Sequence, residues 1–423
     1  MKSNAKMAAL VLLLPIILLV QGCREDVPDD ASPADVHGTT VVSIQEFGVL
    51  PGNSSYTNTK NLQKAIDAAS SSGLALYVEP VEDGYPVDGG IILRKNVSLI
   101  GAQGPTGRGT RNKAGSGPTG SVFIITDRLH PFITVESATR IQGIQFNYPR
   151  QSWFDPKTVI DYPATIRKAP DEAVNGVTLR DLTFYGETFA MDFRADSPEH
   201  ASSLLLFENC YGYPLSGQFI AIDHCSDVPR ILHCHVNPAN GREFHKEFSG
   251  TIENEVIAKD TYTYWLDHVE HVVAMDIFTI LVYGGIYMGP ESSGDLTSFN
   301  FDGVRIGIYK AGGDADVANW RVANGAIISM MGDDPAGNHP IYVNGKGNLA
   351  VQSVNSFAGH VLSNDYICVD GDEETTVSLV SCRMRNYLAD HPITILDPRV
   401  SVHAIACVDK LSNQFDFFYD GNQ

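Results

Sequence analysis

Ile220-Ala-Ile-Asp223-His224 and Tyr264-Trp-Leu-Asp267-His268 are one phrase written twice, an apolar run of β-strand period closed by a carboxylate beside an imidazole. Each is followed by a second β-like run, Ile231 to Val236 and Val272 to Ile277. The whole stretch from Phe219 to Ile277 therefore reads as two neighbouring rungs of a solenoid, with an Asp-His pair on the same edge of both.

Working outward, the second run recurs along the chain. It fits Ile141-Gln-Gly143-Ile144, Leu179-Arg-Asp181-Leu182, Phe207-Glu-Asn209-Cys210 and His233-Cys-His235-Val236, and continues through Ala274-Met-Asp276-Ile277 and Phe301-Asp-Gly303-Val304. Val322-Ala-Asn324-Gly325, Val351-Gln-Ser353-Val354, Leu379-Val-Ser381-Cys382 and Val402-His-Ala404-Ile405 complete it. The third position is small or turn-prone almost throughout, and the fourth is apolar. The first run precedes these, as in Phe189-Ala-Met191-Asp192, Ile286-Tyr-Met288, Ile308-Tyr-Lys310, Ile341-Tyr-Val343 and Ile367-Cys-Val369-Asp370. Units that bury a face only by stacking on their neighbours make a coil-by-coil β solenoid. Steps of 38 and 41 residues exceed the others and mark insertions near Asn147 to Val174 and Asn237 to Thr263, expected to wall a groove.

Residues 1–22 read as a secretion signal, with Lys2 and Lys6 before an apolar run from Met7 to Val20. The ending Val20-Gln-Gly22-Cys23 resembles a bacterial lipoprotein cleavage site, which implies lipidation of Cys23 and a place on the outer membrane or cell surface. Residues 23–40 form an acidic tether. Cleavage before Cys23 leaves 28 basic against 50 acidic residues, a net charge of −22, which repels nucleic acid at long range. Nucleic acid is not an expected partner, and a membrane is reached only through the lipid.

From residue 41 to 423 a single β-helix domain is expected, with 41–101 as its amino-terminal cap and first coils. Val41 to Gly48 reads as a strand. A helix opens at Thr57-Asn58-Thr59, carries Leu62, Ala65, Ile66 and Ala69 on one face, and stops at Ser70 to Gly73. Phe47-Gly48, Gln63-Lys-Ala65-Ile66, Val78-Glu-Pro80, Gly84-Tyr85 and Leu99-Ile-Gly101 together resemble the amino-terminal segment of the pectate-lyase superfamily related to glycoside hydrolase family 28. The resemblance implies an all-β, right-handed parallel β-helix with an α-helix over its first coil. Family 28's Asn-Thr-Asp and Gly-His-Gly motifs are absent. Arg305-Ile306 precedes Asp333-Asp334 instead of following it, so those catalytic residues are not carried over.

The sites are read from the residues themselves. Asp192, Asp223-His224 and Asp267-His268 fall in one register on three consecutive coils. Carboxylates on adjacent or next-adjacent rungs lie roughly 5–10 Å apart, the range of paired acids in glycoside hydrolysis. A neighbouring imidazole can hold or carry a proton, while the bland alternative is a column of turn residues like Asn344-Gly345 and Asp370-Gly371. Arg194, Arg230, Tyr264 and Trp265 are the candidate substrate contacts. Tyr262 and Tyr287 are further aromatic candidates. His339, Asn364-Asp365 and Asp390-His391 form a second candidate site. His233-Cys-His235 reads as an inward, hydrogen-bonded stack in place of a metal site, and no metal ligand is assigned. Gly101 to Gly120, with Arg108, Arg111 and Lys113, lacks the ending of a phosphate loop. Cys210 and Cys382 sit in the apolar column as buried thiols.

These observations point to a polysaccharide-processing protein whose partner is an extracellular glycan. A glycoside hydrolase is favoured over a uronate lyase or epimerase because acids outnumber candidate Lys or Arg bases. No cofactor is expected, with Ca²⁺ entering only for a lyase. A glycan-binding lipoprotein without catalysis is the alternative from another class.

Overall fold

The computed structural model describes residues 40–102, 118–153, 155–238, 250–314, 316–329, 337–356 and 363–421. The signal segment, Cys23, the tether up to residue 39, Arg108, Arg111, Lys113 and Asp333-Asp334 lie outside them.

The described strands form three sheets wound into a right-handed parallel β-helix. A coil runs through a front sheet, a long sheet and a short sheet, as in Ile220–Cys225, Arg230–Leu232 and His235–Val236, then returns to the front at Tyr262–Val269. Every strand pairing is parallel except the last, Ser401–Val408 with Gln414–Asp420. Alternation along each strand decides what is buried. Ile220, Ile222, Tyr264 and Leu266 face inward and are fully buried, while Asp223, Trp265 and Asp267 face outward. Fully burying an aliphatic side chain is worth about 1.5–3 kcal/mol, so the stacked interior sustains a fold whose strands are only a few residues long.

From Gly143 onward the corner from long to short sheet is a single residue in left-handed backbone, whereas the two coils before it make the same connection through residues 79–84 and 102–120. It runs Gly143, Asp181, Asn209, His233, Asp276, Ser298, Asn324, Ser353, Ser381 and Ala406, at φ between 52° and 70°. Three members differ from the sequence reading, which placed His235, Gly303 and Ala404 in this column. His233, Ser298 and Ala406 are the true occupants, because Asn300–Val304 lies in the short sheet and the other two strands are shifted by two residues. Corner side chains tie adjacent rungs together, as Asn209 does to Asp181 at 2.5 Å and His233 to Asp276 at 2.8 Å.

The helix over the first coil spans Ser55–Ser72, starting before the expected Thr57 because Ser54 caps it by accepting from the Thr57 N–H. Leu62, Ala65, Ile66 and Ala69 are fully buried on the solenoid, and Gly73 ends the helix at φ 71°. Fully buried Asn58 locks its base by bonding both the N–H and the C=O of Leu50 and the C=O of Pro86.

Candidate active site

Asp223 and Asp267 are register partners on adjacent rungs, at the ends of Ile220–Cys225 and Tyr262–Val269. The residue after each is a histidine in left-handed backbone, His224 at φ 56° and His268 at φ 45°. A β-carbon in that region costs roughly 1–2 kcal/mol, so two successive rungs accept strain to turn an imidazole into the bend. His268 Nδ1 lies 3.0 Å from Asp223 Oδ1 and 3.5 Å from Asp267 Oδ1, so one imidazole bridges the two acids. His224 Nε2 stands 3.7 Å from Asp223, and Glu291 Oε2 stands 4.0 Å from the far nitrogen of His268.

The two carboxylates differ in environment. Burial pushes the Asp267 carboxyl up to about 6, against the pull of the His268 imidazole and with Asp223 and Glu291 adding to the rise. Gly289 on the next rung leaves room for it, since a β-carbon there would fall 2.4 Å from Asp267 Oδ1. Beyond the bend opens a groove of about 850 Å³ whose lining includes His224, His268, Glu270, Glu291, Asp316 and Arg321. Arg321 is held by Asp295 through bonds of 2.5 and 2.7 Å.

Not every expected residue joins this cluster. Asp192 pairs in register with Ala221, and it is Arg194 that stands beside Asp223. The expected column was two residues out of phase at that rung. Asp192 instead clamps Arg194 with bonds of 2.7 and 2.8 Å. Arg230 is exposed on the long sheet, bonded to the Val228 carbonyl. Tyr264 is fully buried, its hydroxyl on the Phe278 carbonyl at 3.2 Å, which removes it from any substrate surface. The long insertions do not wall the groove among the described residues. They leave from the bend between short and front sheets, at the opposite end of the front strands. His233 and His235 face outward; the inward residue between them is Cys234, so the buried stack expected there does not form.

Trp265 does reach the surface, and it heads a feature that single-residue reading missed. Trp265, Tyr287, Tyr309 and Tyr342 occupy one outward column on four consecutive rungs, ring centroids 5.5, 5.4 and 5.3 Å apart. The recurring Ile-Tyr of the first-type runs was its signal. The column lies two residues along the strand from Asp267.

A metal ion does not suit the groove cluster, although one donor atom each from Asp223, His224 and His268 lies within 4.8 Å of the others. The two imidazole rings stack 4.4 Å apart at 27°, so their in-plane lone pairs run side by side. An ion about 2 Å from both nitrogens needs lone pairs that converge. The second expected site splits. His339 meets Asp365 at 2.8 Å, whereas His391 packs against Phe415 and Phe417.

No protein-family model and no curated protein matches the chain. Solved structures do. The pre-mature gene product 12 of bacteriophage phi29 superimposes with TM-score 0.52 at 12% identity, over 87% of this chain and 52% of that one, so this chain spans about half of its length. The DFA-IIIase of Arthrobacter chlorophenolicus A6, without its lid and in complex with GF2, gives TM-score 0.50 at 8% identity, over 89% and 95%. At such identities the likeness establishes the fold: a pectin-lyase-like parallel β-helix.

Proposed function

We propose that this chain hydrolyses glycosidic bonds of an extracellular polysaccharide at the Asp223–Asp267 pair. The observation that carries the reading is a pair of carboxylates on adjacent rungs, bridged by His268, one of which keeps its proton to about pH 6. The acids themselves do not line the groove, but the histidines that follow them, His224 and His268, do. Protonated Asp267 gives its proton to the glycosidic oxygen as that bond breaks. The Asp223 carboxylate, oriented by His268, attacks the anomeric carbon, and water then releases the sugar with Asp267 as base. Rungs about 4.8 Å apart match the closely spaced acids of retaining enzymes, about 5–5.5 Å, better than the wider inverting gap.

Groove charge bears on the substrate. Glu270, Glu291 and Asp316 line it, and Arg321, its one lysine or arginine among the described lining residues, is bound to Asp295. Such walls favour a neutral or amino-sugar glycan over a polyuronate. The candidate bases for a lyase or epimerase stand elsewhere: Arg194 is clamped by Asp192, Lys310 points inward at 1% exposure, and Arg230 lies on the long sheet.

The test is release of reducing ends by the purified chain from neutral, amino-sugar and uronate polysaccharides, with unsaturated uronate followed in parallel. The expected result is reducing ends without the unsaturated chromophore. Asp223→Asn and Asp267→Asn should each lose at least about 100-fold, and activity should fall as pH rises through about 6, where Asp267 loses its proton. Binding without cleavage of any of these glycans would replace the hydrolase by a glycan-binding protein.

The reading includes a lipid on Cys23 that holds the chain at the bacterial surface. No helix among the described residues is long and apolar enough to cross a membrane. The chain should incorporate labelled fatty acid and Cys23→Ser should not; incorporation that survives the substitution, or none in the unmutated chain, would remove the anchor.

A further inference from the structure

We propose that His339, Asp365 and Cys368 form a zinc site in the last coils of the solenoid, independent of the groove. His339 opens the strand His339–Asn344. Asp365 stands just before the next rung, Ile367–Asp370, and Cys368 is that strand's second residue, in register with Tyr342. One donor atom from each, an imidazole nitrogen, a carboxylate oxygen and the thiol sulfur, lies within 4.8 Å of the other two. All three are withdrawn from solvent, at 9%, 0% and 2% exposure.

The chemistry of the set selects the ion. Asp365 is a fully buried carboxylate whose side-chain partners are His339 Nδ1 at 2.8 Å and Asn364 Nδ2 at 3.1 Å; among the described residues no lysine or arginine pairs with it. A carboxylate taken out of water calls for a compensating positive charge, and a divalent ion supplies it better than an imidazole that must first be protonated. A thiolate excludes calcium and magnesium, which take oxygen ligands, and a mixed nitrogen, oxygen and sulfur set suits zinc. Zinc legs of about 2.0–2.3 Å put neighbouring tetrahedral donors about 3.3–3.8 Å apart, a closure that side-chain rotation provides. With a single imidazole there is no second ring to stack against, so the obstacle found in the groove does not arise. On binding, the Cys368 S–H bond breaks, the sulfur bonds the metal and the proton passes to solvent, while water takes the fourth position. The ion then ties two adjacent rungs where the solenoid nears its end.

The test is cobalt titration of the purified chain after chelator treatment. One equivalent should produce a near-ultraviolet sulfur-to-cobalt charge-transfer band, with about one proton released per metal. Cys368→Ser should lose the band, and Cys225→Ser, which removes another buried thiol, should keep it. The cadmium-113 resonance of the unmutated chain gives an answer that needs no variant to fold, and should report one sulfur donor. No band at one equivalent, a band that survives Cys368→Ser, or a cadmium resonance without sulfur overturns the site.

Discussion

Glu187 sits at 0% exposure with its Oε1 accepting the Tyr213 N–H at 3.0 Å and its Oε2 without a partner among the described residues. Burial pushes its carboxyl from 4.5 up to about 8. Between those values the unfolded chain gives up a proton that the folded chain keeps, so stability from this residue is present at low pH and is lost as pH rises through about 8. Glu187→Gln keeps an oxygen that accepts the Tyr213 N–H and removes the acid. The variant should be more stable than the parent at pH 8, by on the order of 2 kcal/mol or more, and should unfold with it at pH 4. Urea titrations at the two pH values check this. At the same scale, sequence shows the Asp-His phrases because both halves are contiguous. It hides Glu291, which reaches His268 from the following bend and has no phrase of its own.

At the scale of the strand, legibility follows periodicity. The inward column is apolar and repeats, so the sheets and their order could be read from Ile220 to Leu266 and outward. Register was harder. A strand carries the same alternation when shifted by two, so Asp192 looked equivalent to Asp223 although Arg194 holds that place. The same ambiguity exchanged His233 with His235. Which bend an insertion leaves from also has no periodic signature, and the groove was expected beside the long insertions when it lies at the other end of the front strands. The aromatic column was legible in principle, because three of its members repeat as Ile286-Tyr287, Ile308-Tyr309 and Ile341-Tyr342. Only a comparison across rungs brings them together.

Across the whole molecule, a stacked sheet has two open ends, and each is closed differently. The Ser55–Ser72 helix covers the first coil. At the other end Gln414–Asp420 reverses direction and pairs antiparallel with Ser401–Val408. Its side chains alternate between exposed and half-buried, with Asp416 and Asp420 among them. This outer strand carries charges at Asp416 and Asp420 beside an exposed Phe418, and it runs against the coil direction, which makes it a poor template for a further parallel rung. Truncation after Lys410 should expose the Ser401–Val408 edge and produce concentration-dependent association, measurable by sedimentation, while the full chain stays unassociated under the same conditions. Equal sedimentation of the two would mean that this strand does not guard the edge.

The corner between long and short sheets has a consequence for how such a chain changes length over generations. A turn made by one left-handed residue has no slack. A single added residue there would displace the following strand from its partners on both sides; one coil before Gly143 the same corner is made by a whole loop, 102–120, whose flanking strands keep their register. The bend between the short and front sheets is under no such constraint: the chain leaves Asn147 and returns at Ile166, and leaves Val236 and returns at Tyr262, with the rungs on either side still in register. Insertions therefore enter this solenoid as whole loops that leave and return in register, and the one-residue corners from Gly143 onward mark where none has entered.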